Sequence, residues 1–326
     1  MISVVHALCA QAIGAPVIAV SSRTGARAAE RAEQTGARPV DFADLPAGAD
    51  AVVVCTPPDR HAEDTLRAIA ADAAVLVEKP LASRLTEADA LVDAGGRILY
   101  GENMAFSPVF VETHRQISRI GTIDFVEIRQ LSPRPTWGEF LEPARGGGVL
   151  FDLGAHAVAL ALLIAGSDTP VSVTASLERS SDTDVDDAAE VHIEFASGMR
   201  CRLEVDWRSP NTVWDIQASS ATGVVRTELV PNPVIEVNGD PIGLPPPSGG
   251  TEATIERLGY VEQMRTLEAI VGGMDSPIDA RFGRRVLDLL CAAYTAARAP
   301  GSAVALPFTG PRDRTPHELW SGTVGP

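Results

Sequence analysis

The chain contains one lysine, Lys79, among 27 basic residues. A sequence that gives every other basic position to arginine points, at Lys79, to a place where guanidinium cannot serve. Lysine offers a compact charge and a pKa that burial can move, whereas arginine stays a bulky, fixed cation. Lys79 stands in "VLVEKPLAS", at the carboxyl end of an apolar run of strand type, where open α/β sheets hold their ligands. The competing reading is a surface lysine without a role. A second group lies in "RGGGVLFDLGAHAVALALLIAG", residues 145–166. Gly146, Gly147 and Gly148 permit close backbone approach, and an apolar helix follows in which Asp152 and His156 stand four apart on one face. A carboxylate beside an imidazole can select one tautomer and stabilise the protonated ring, which equips His156 for acid–base work near neutral pH. The same spacing also fits a helix-start pair without chemistry. No further cluster supplies the extra ligands a metal needs, so no metal site is expected.

Elements must position these groups, and residues 1–103 read as helix alternating with strand. Val5, Leu8, Cys9 and Ala12 recur at helical spacing up to Gly14, and "PVIAV" is a short β-branched run. The pattern continues with a helix at 26–36, a strand at 50–58, a helix at 60–72 and a strand at 73–80. A helix at 86–96 and the strand "RILYGEN" complete it. Near-continuous apolar strands between helices predict a parallel doubly wound sheet. From residue 104 to 326 the pattern changes. "TIDFVEIRQL", "VSVTASLER", "AEVHIEFAS", "MRCRLEVDWRS" and "GVVRTELV" alternate as half-exposed antiparallel strands, and Asn238-Gly239 marks a hairpin. The loop "LPPPSGGTE" precedes two helical patterns at 252–271 and 283–298. Length and this change of texture predict two domains, 1–103 and 104–326, around separate cores.

Acidic residues number 43 against 27 basic ones, a net charge of −16. Such a surface repels phosphate backbones and anionic lipid, so neither nucleic acid nor membrane is an expected partner. The four cysteines, Cys9, Cys55, Cys201 and Cys291, are scattered without a CxxC pair, which fits a reducing, cytoplasmic setting. The opening "MISVVHALCAQAIGAPVIAV" has no preceding positive charge and is interrupted at Gly14 and Pro16, so it reads as neither signal peptide nor membrane span. The run "RSSDTDVDDAAE" reads as a solvated acidic loop, His61 as a packing residue near the loop after the strand at 50–58, His192 as an ordinary strand position, and Trp137 as either packing or a cover over a site.

"CTPPDRHAE", "EKPLAS", "YGENMAFSP", "GGGVLFDLGAH", "GYVEQMRTLEAIVGG" and "RRVLDLLCAAYTAA" together resemble the glucose-fructose oxidoreductase / inositol dehydrogenase (Gfo/Idh/MocA) family across nearly the whole chain. The resemblance implies an α/β fold: a Rossmann-type doubly wound parallel sheet, then an α+β domain with a large, mainly antiparallel open sheet that builds homodimers or homotetramers. It implies nicotinamide-dependent oxidation or reduction at a sugar, cyclitol or related polyhydroxylated compound. In that family pattern Lys79 polarises the reacting oxygen and touches the cofactor ribose, His156 exchanges the hydroxyl proton, and Asp152 orients substrate and histidine. Thr56, Pro57, Pro58 and Glu78 line the dinucleotide, and Asn103 lies near its nicotinamide end. Ala105 departs from the pattern, standing where many members carry arginine.

Cofactor choice is read from "VIAVSSRTG". After the second Rossmann strand a carboxylate selects NAD, whereas an arginine accommodates the 2′-phosphate of NADP. Ser21, Ser22, Arg23 and Thr24 bring hydroxyls and a cation, so NADP(H) is expected over NAD(H). The second departure concerns the start: "MISVVHAL" aligns with the helix that follows the family's first strand and G-x-G-x-x-G turn, which puts Met1 inside that turn. Two explanations stand, a start downstream of the natural one or a loss that abandons dinucleotide binding. Beside hydride transfer, the alternatives are a lyase, epimerase or glycoside-cleaving enzyme on the same scaffold, or a non-catalytic homologue.

Overall fold

The computed structural model describes residues 2–45, 47–136, 140–145, 147–244, 246 and 251–322. Trp137, Gly146 and most of "LPPPSGGTE" fall outside them. The first hundred residues alternate as α1 (Ile2–Ala12), β1 (Ala19–Val20), α2 (Gly25–Thr35), β2 (Arg38–Pro39), β3 (Ala51–Val54), α3 (Pro58–Ala70), β4 (Ala74–Glu78), α4 (Leu85–Ala94) and β5 (Ile98–Gly101). Local chemistry sets the boundaries. The Thr24 side chain accepts the Arg27 amide to start α2, and Gly36 ends it in left-handed backbone, φ 73°. Pro58 opens α3 at its first position, where a missing N–H is harmless.

Strand β4 is buried at every residue and is flanked in parallel by β3 and β5. That position explains its unbroken apolar sequence. β1 and β2 form a separate parallel ladder, so among the described residues the parallel strands stand as β2-β1 and β3-β4-β5 rather than as one continuous sheet.

After α5 (Pro108–Ile117), which the sequence pattern did not reveal, the chain enters β6 (Ile123–Pro133) and α6 (Val149–Ala165). There follow β7 (Pro170–Glu178), β8 (Ala188–Phe195), β9 (Arg200–Asp206), β10 (Arg208–Ser220), β11 (Gly223–Val230), β12 (Val234–Val237) and β13 (Asp240–Ile242). Helices α7 (Ala253–Arg257), α8 (Tyr260–Val271) and α9 (Ala280–Ala296), strand β14 (Val304–Ala305) and helix α10 (Pro316–Ser321) close the chain. Nine strands form one sheet in the order β13-β12-β11-β10-β6-β9-β8-β7-β14. Among the described residues of this sheet, only the β6–β9 pairing is parallel. Asn238 and Gly239 both have positive φ, 54° and 89°, as the two-residue turn between β12 and β13 requires.

Alternate residues of these strands are buried, giving the sheet one apolar and one polar face. α6 packs on β6 and β9 and against α9, and α9 in turn touches α4 and β5. The buried hydrophobics therefore make one continuous cluster across both halves, not the two separate cores expected from length.

The amino end of α6 is anchored by a residue the sequence reading had placed in a solvated loop. Asp186 is fully buried: its carboxylate accepts the Leu150 amide at 2.8 Å and the Tyr294 hydroxyl at 2.7 Å, and that hydroxyl accepts the Phe151 amide. Asp187, also fully buried, accepts from Arg134 at 2.9 Å and Arg208 at 2.7 Å. A charge run counted along the sequence hides this, because the partners come from α6, α9 and the neighbouring strands. Gly148 has φ 118°, and a Cβ there would lie 2.0 Å from the Asp186 carboxylate. Gly148→Ala is therefore expected to destabilise the fold by about 3 kcal/mol or more. An unchanged thermal midpoint would contradict this anchoring.

Burial pushes the Asp186 carboxyl up to about 7, against the pull of its Leu150 and Tyr294 bonds. An acid whose folded pKa is raised keeps its proton in the fold after the unfolded chain has lost it, so this site loses stability as pH rises from about 4 to about 7. Asp186→Asn, measured by urea unfolding, should gain on the parent by about 2–3 kcal/mol between pH 5 and pH 7.5. A pH-independent difference would show that Asp186 is ionised throughout.

Candidate active site

The carboxyl ends of β4 and β5 meet the first two turns of α6. Lys79 follows β4, and its Nζ donates to Asp152 Oδ1 at 2.5 Å and to the Asp152 carbonyl at 3.1 Å. Both side chains are largely buried, at 13% and 11% exposure. The Phe140 ring lies 5.9 Å from Nζ. Two of three ammonium donors are thus committed, leaving one for an incoming oxygen.

His156 is one turn further along α6, but Asp152 does not hold it. Its Nδ1 lies 2.9 and 2.8 Å from the two oxygens of Glu102, a fully buried carboxylate just past β5. This corrects the expected Asp152–His156 pairing: at four residues' spacing both side chains share a face, yet each meets a nearer opposite charge from a different strand end. A carboxylate only accepts, so Nδ1 carries the hydrogen and Nε2 is left to exchange a proton. Glu102 is the His156 partner that sequence reasoning missed. The signal was available, since it ends a parallel strand as Lys79 does. The Trp214 ring stands 5.8 Å from the His156 ring at 37°.

Glu78 forms a third buried pair, accepting from His6 of α1 at 2.7 Å and from the Lys79 amide at 3.2 Å. Burial pushes its carboxyl up, but the His6 bond and the neighbouring His6, Lys79 and His156 charges outweigh it and hold the carboxyl below its ordinary range. His6, also missed, is the one polar side chain among the buried positions of α1, and its ring meets Tyr260 edge-on at 5.8 Å. The remaining expected residues mostly have structural partners. The Thr56 hydroxyl donates to Asp64 at 2.9 Å, Pro57 and Pro58 open α3, and Asn103 donates to the Leu258 carbonyl at 2.7 Å. His61 is buried between the carbonyls of Pro80 and Thr56, each 2.7 Å away, and so ties together the loops after β3 and β4. Burial lowers its pKa despite those two carbonyls. Ser22, Arg23 and Thr24 follow β1 and lead into α2, which Thr24 caps.

An oxidoreductase family with an NAD-binding Rossmann fold matches residues 3–96, and the GFO/IDH/MocA C-terminal domain matches residues 115–226. The chain is 30% identical over 223 residues to inositol 2-dehydrogenase of Rhizobium meliloti, covering 64% of this chain and 66% of that protein. It is 28% identical over 206 residues to D-xylose 1-dehydrogenase (NADP(+)) 2 of Haloferax volcanii, covering 60% of this chain and 62% of that protein. The chain thus matches somewhat less than two thirds of the length of these relatives. The solved structure of GenD2 from gentamicin A biosynthesis, in complex with NAD, superposes with a TM-score of 0.81 at 27% identity, across 94% of this chain and 93% of that one. No helix among the described residues is long and apolar enough to cross a membrane.

If Glu102 sets the His156 tautomer, Glu102→Gln lowers kcat by about 10²-fold while leaving cofactor affinity in place. A kcat within twofold of the parent would show that the pair is structural only.

Proposed function

The chain belongs to the GFO/IDH/MocA oxidoreductase family, and from that premise we propose that it is an NADP-dependent dehydrogenase or reductase acting on a hydroxyl or carbonyl carbon of a sugar, cyclitol or related polyhydroxylated compound. The carrying observation is the pair of clamps at the strand ends: Lys79 held by Asp152 and His156 held by Glu102. The two groups that hydride chemistry at a carbinol needs, a cation for the oxygen and a base for its proton, are each clamped in a fixed orientation, the first against Asp152 of α6 and the second one turn further along that helix.

The residues present fit a dinucleotide at its two ends. The Ser21 hydroxyl, beside Ser22, Arg23 and Thr24, is buried without a partner among the described residues. Its position after β1 suits the adenosine ribose, and Arg23 suits a 2′-phosphate. Thr56, Pro57, Pro58, Glu78, Lys79 and Asn103 would line the other end, as the family resemblance implies. When bound, the nicotinamide supplies the hydride acceptor or donor.

In the oxidation direction the free Lys79 donor binds the hydroxyl oxygen and stabilises the charge that builds on it. His156 Nε2 takes the hydroxyl proton, and Glu102 stabilises the resulting imidazolium. Asp152 keeps the lysine aimed. Reduction runs through the same groups in reverse, Nε2 returning the proton. Residues 1–103 then carry the cofactor and 104–326 the substrate, in a cytoplasmic enzyme whose open sheet face joins subunits.

The test is binding and turnover in one preparation. NADPH fluorescence should shift on binding, more tightly than NADH, and NADP+ should be reduced in proportion to polyol oxidised when myo-inositol and D-xylose are supplied. Lys79→Ala should lower kcat by about 10²–10⁴-fold and leave the NADPH Kd near the parent value. Polyol conversion with no net change in the nicotinamide would place the chain among non-redox enzymes instead.

A further inference from the structure

Helix α6 begins without a cap of its own. Gly148 stands before its first residue and has no side chain to accept an amide, so the N–H groups of Val149, Leu150 and Phe151 need partners from elsewhere. Two residues distant in sequence supply all three. The Asp186 carbonyl accepts from Val149 at 2.9 Å, one Asp186 carboxylate oxygen accepts from Leu150 at 2.8 Å, and the Tyr294 hydroxyl accepts from Phe151 at 3.1 Å. The Tyr294 proton is donated in turn to the other carboxylate oxygen at 2.7 Å. Both residues are fully buried.

This cap is complete in one ionisation state only. Toward Leu150 and Tyr294 the carboxyl group acts as acceptor, so a proton placed on either oxygen competes with a donor already there. The anion is also the form that a helix start favours. Burial opposes it and holds the proton on the carboxyl up to about 7. The charged groups nearby do not offset that burial. Asp187 is a second anion, but Arg134 and Arg208 hold it, and Asp152 of α6 is paired with Lys79. From α10, the Trp320 ring meets the Tyr294 ring at 6.5 Å and brings no charge. Among the described residues no basic side chain is paired with Asp186.

What this cap holds is what aims the lysine. Lys79 Nζ bonds both the carboxylate and the main-chain carbonyl of Asp152, two residues past Leu150, so it follows the backbone of that first turn. The Gly148 amide, at the same end, donates to the Phe140 carbonyl at 2.9 Å, and the Phe140 ring lies 5.9 Å from Nζ. We propose that Asp186 and Tyr294 are positioning residues for Lys79: the ionised carboxylate completes the cap and seats Asp152 against the ammonium, and the neutral acid loosens that turn. The inference rests on the reading of Lys79 as the group that binds the reacting oxygen. It gives turnover a pH dependence that does not originate in His156.

The chain's single lysine makes the test direct, because lysine labelled with 13C at Cε gives one NMR resonance, that of Lys79, with no substrate present. In the full-length parent this resonance should move with pH through a midpoint near 7. In Asp186→Asn, which carries the neutral acid's hydrogen-bond pattern at every pH, it should stay at the parent's low-pH position. In Tyr294→Phe, which takes a donor from the carboxylate, the midpoint should rise. With NADP+ and myo-inositol, kcat of the parent should exceed that of Asp186→Asn by less than about twofold near pH 6 and by about tenfold or more near pH 8.5, with the NADPH Kd unchanged. A parent resonance that does not move with pH would overturn the proposal. So would the same titration persisting in Asp186→Asn, or a kcat ratio constant with pH. Should Asp186→Asn fail to fold, Tyr294→Phe decides, and a midpoint equal to the parent's overturns the proposal. Absence of polyol turnover in the parent strikes the hydride-transfer reading instead, and the lysine resonance still tests the positioning.

Discussion

The Lys79–Asp152 ion pair is the contact on which the remaining site geometry depends. It joins the end of a parallel strand to the first turn of a helix 73 residues later, and both charges are withdrawn from water. Removing one partner of such a pair leaves the other as an uncompensated buried charge, at a cost of about 3–5 kcal/mol. Asp152 also sits in the first turn of α6, where a negative charge is favourable. The pair can form only if α6 begins in the right place, and Asp186 fixes that start through backbone amides and through Tyr294 of α9. With α6 so anchored, His156 one turn on meets Glu102 and Trp214.

Three buried carboxylates meet three nitrogen bases at this junction: Glu78 with His6, Asp152 with Lys79, Glu102 with His156. Placing two of these acids at parallel strand ends and the third on α6 divides the work. One pair faces the start of α1, one aims a cation, and one sets a histidine tautomer. Around them the interior is a single apolar cluster, which strengthens each electrostatic contact by excluding water.

How much was legible follows from where each signal originates. The alternation of helix and strand in the first hundred residues, the β12–β13 hairpin and the half-exposed strands reflect local periodicity, and all appear. Lys79 and His156 were visible as residue types at a strand end and on a helix face. Their partners were not: spacing paired Asp152 with His156, whereas the fold presents each with a closer charge from another strand. Asp186 and Asp187 read as solvated because a run of acids looks polar from sequence, and only tertiary packing reveals the amide, hydroxyl and guanidinium groups that receive them. Gln130 and His192 both occupy strands of the sheet, yet only the face on which each lies distinguishes a buried amide from an exposed ring.

The central claim is that hydride passes directly at a carbon held between Lys79 and His156. The fate of a deuterium on that carbon tests it most directly: the protein is given NADP+ and myo-inositol deuterated at its carbinol carbons, and the products are read by mass spectrometry and NMR. The account predicts one deuterium at nicotinamide C4 for each polyol oxidised. Deuterium released to water, or kept on the polyol while product accumulates, would contradict it.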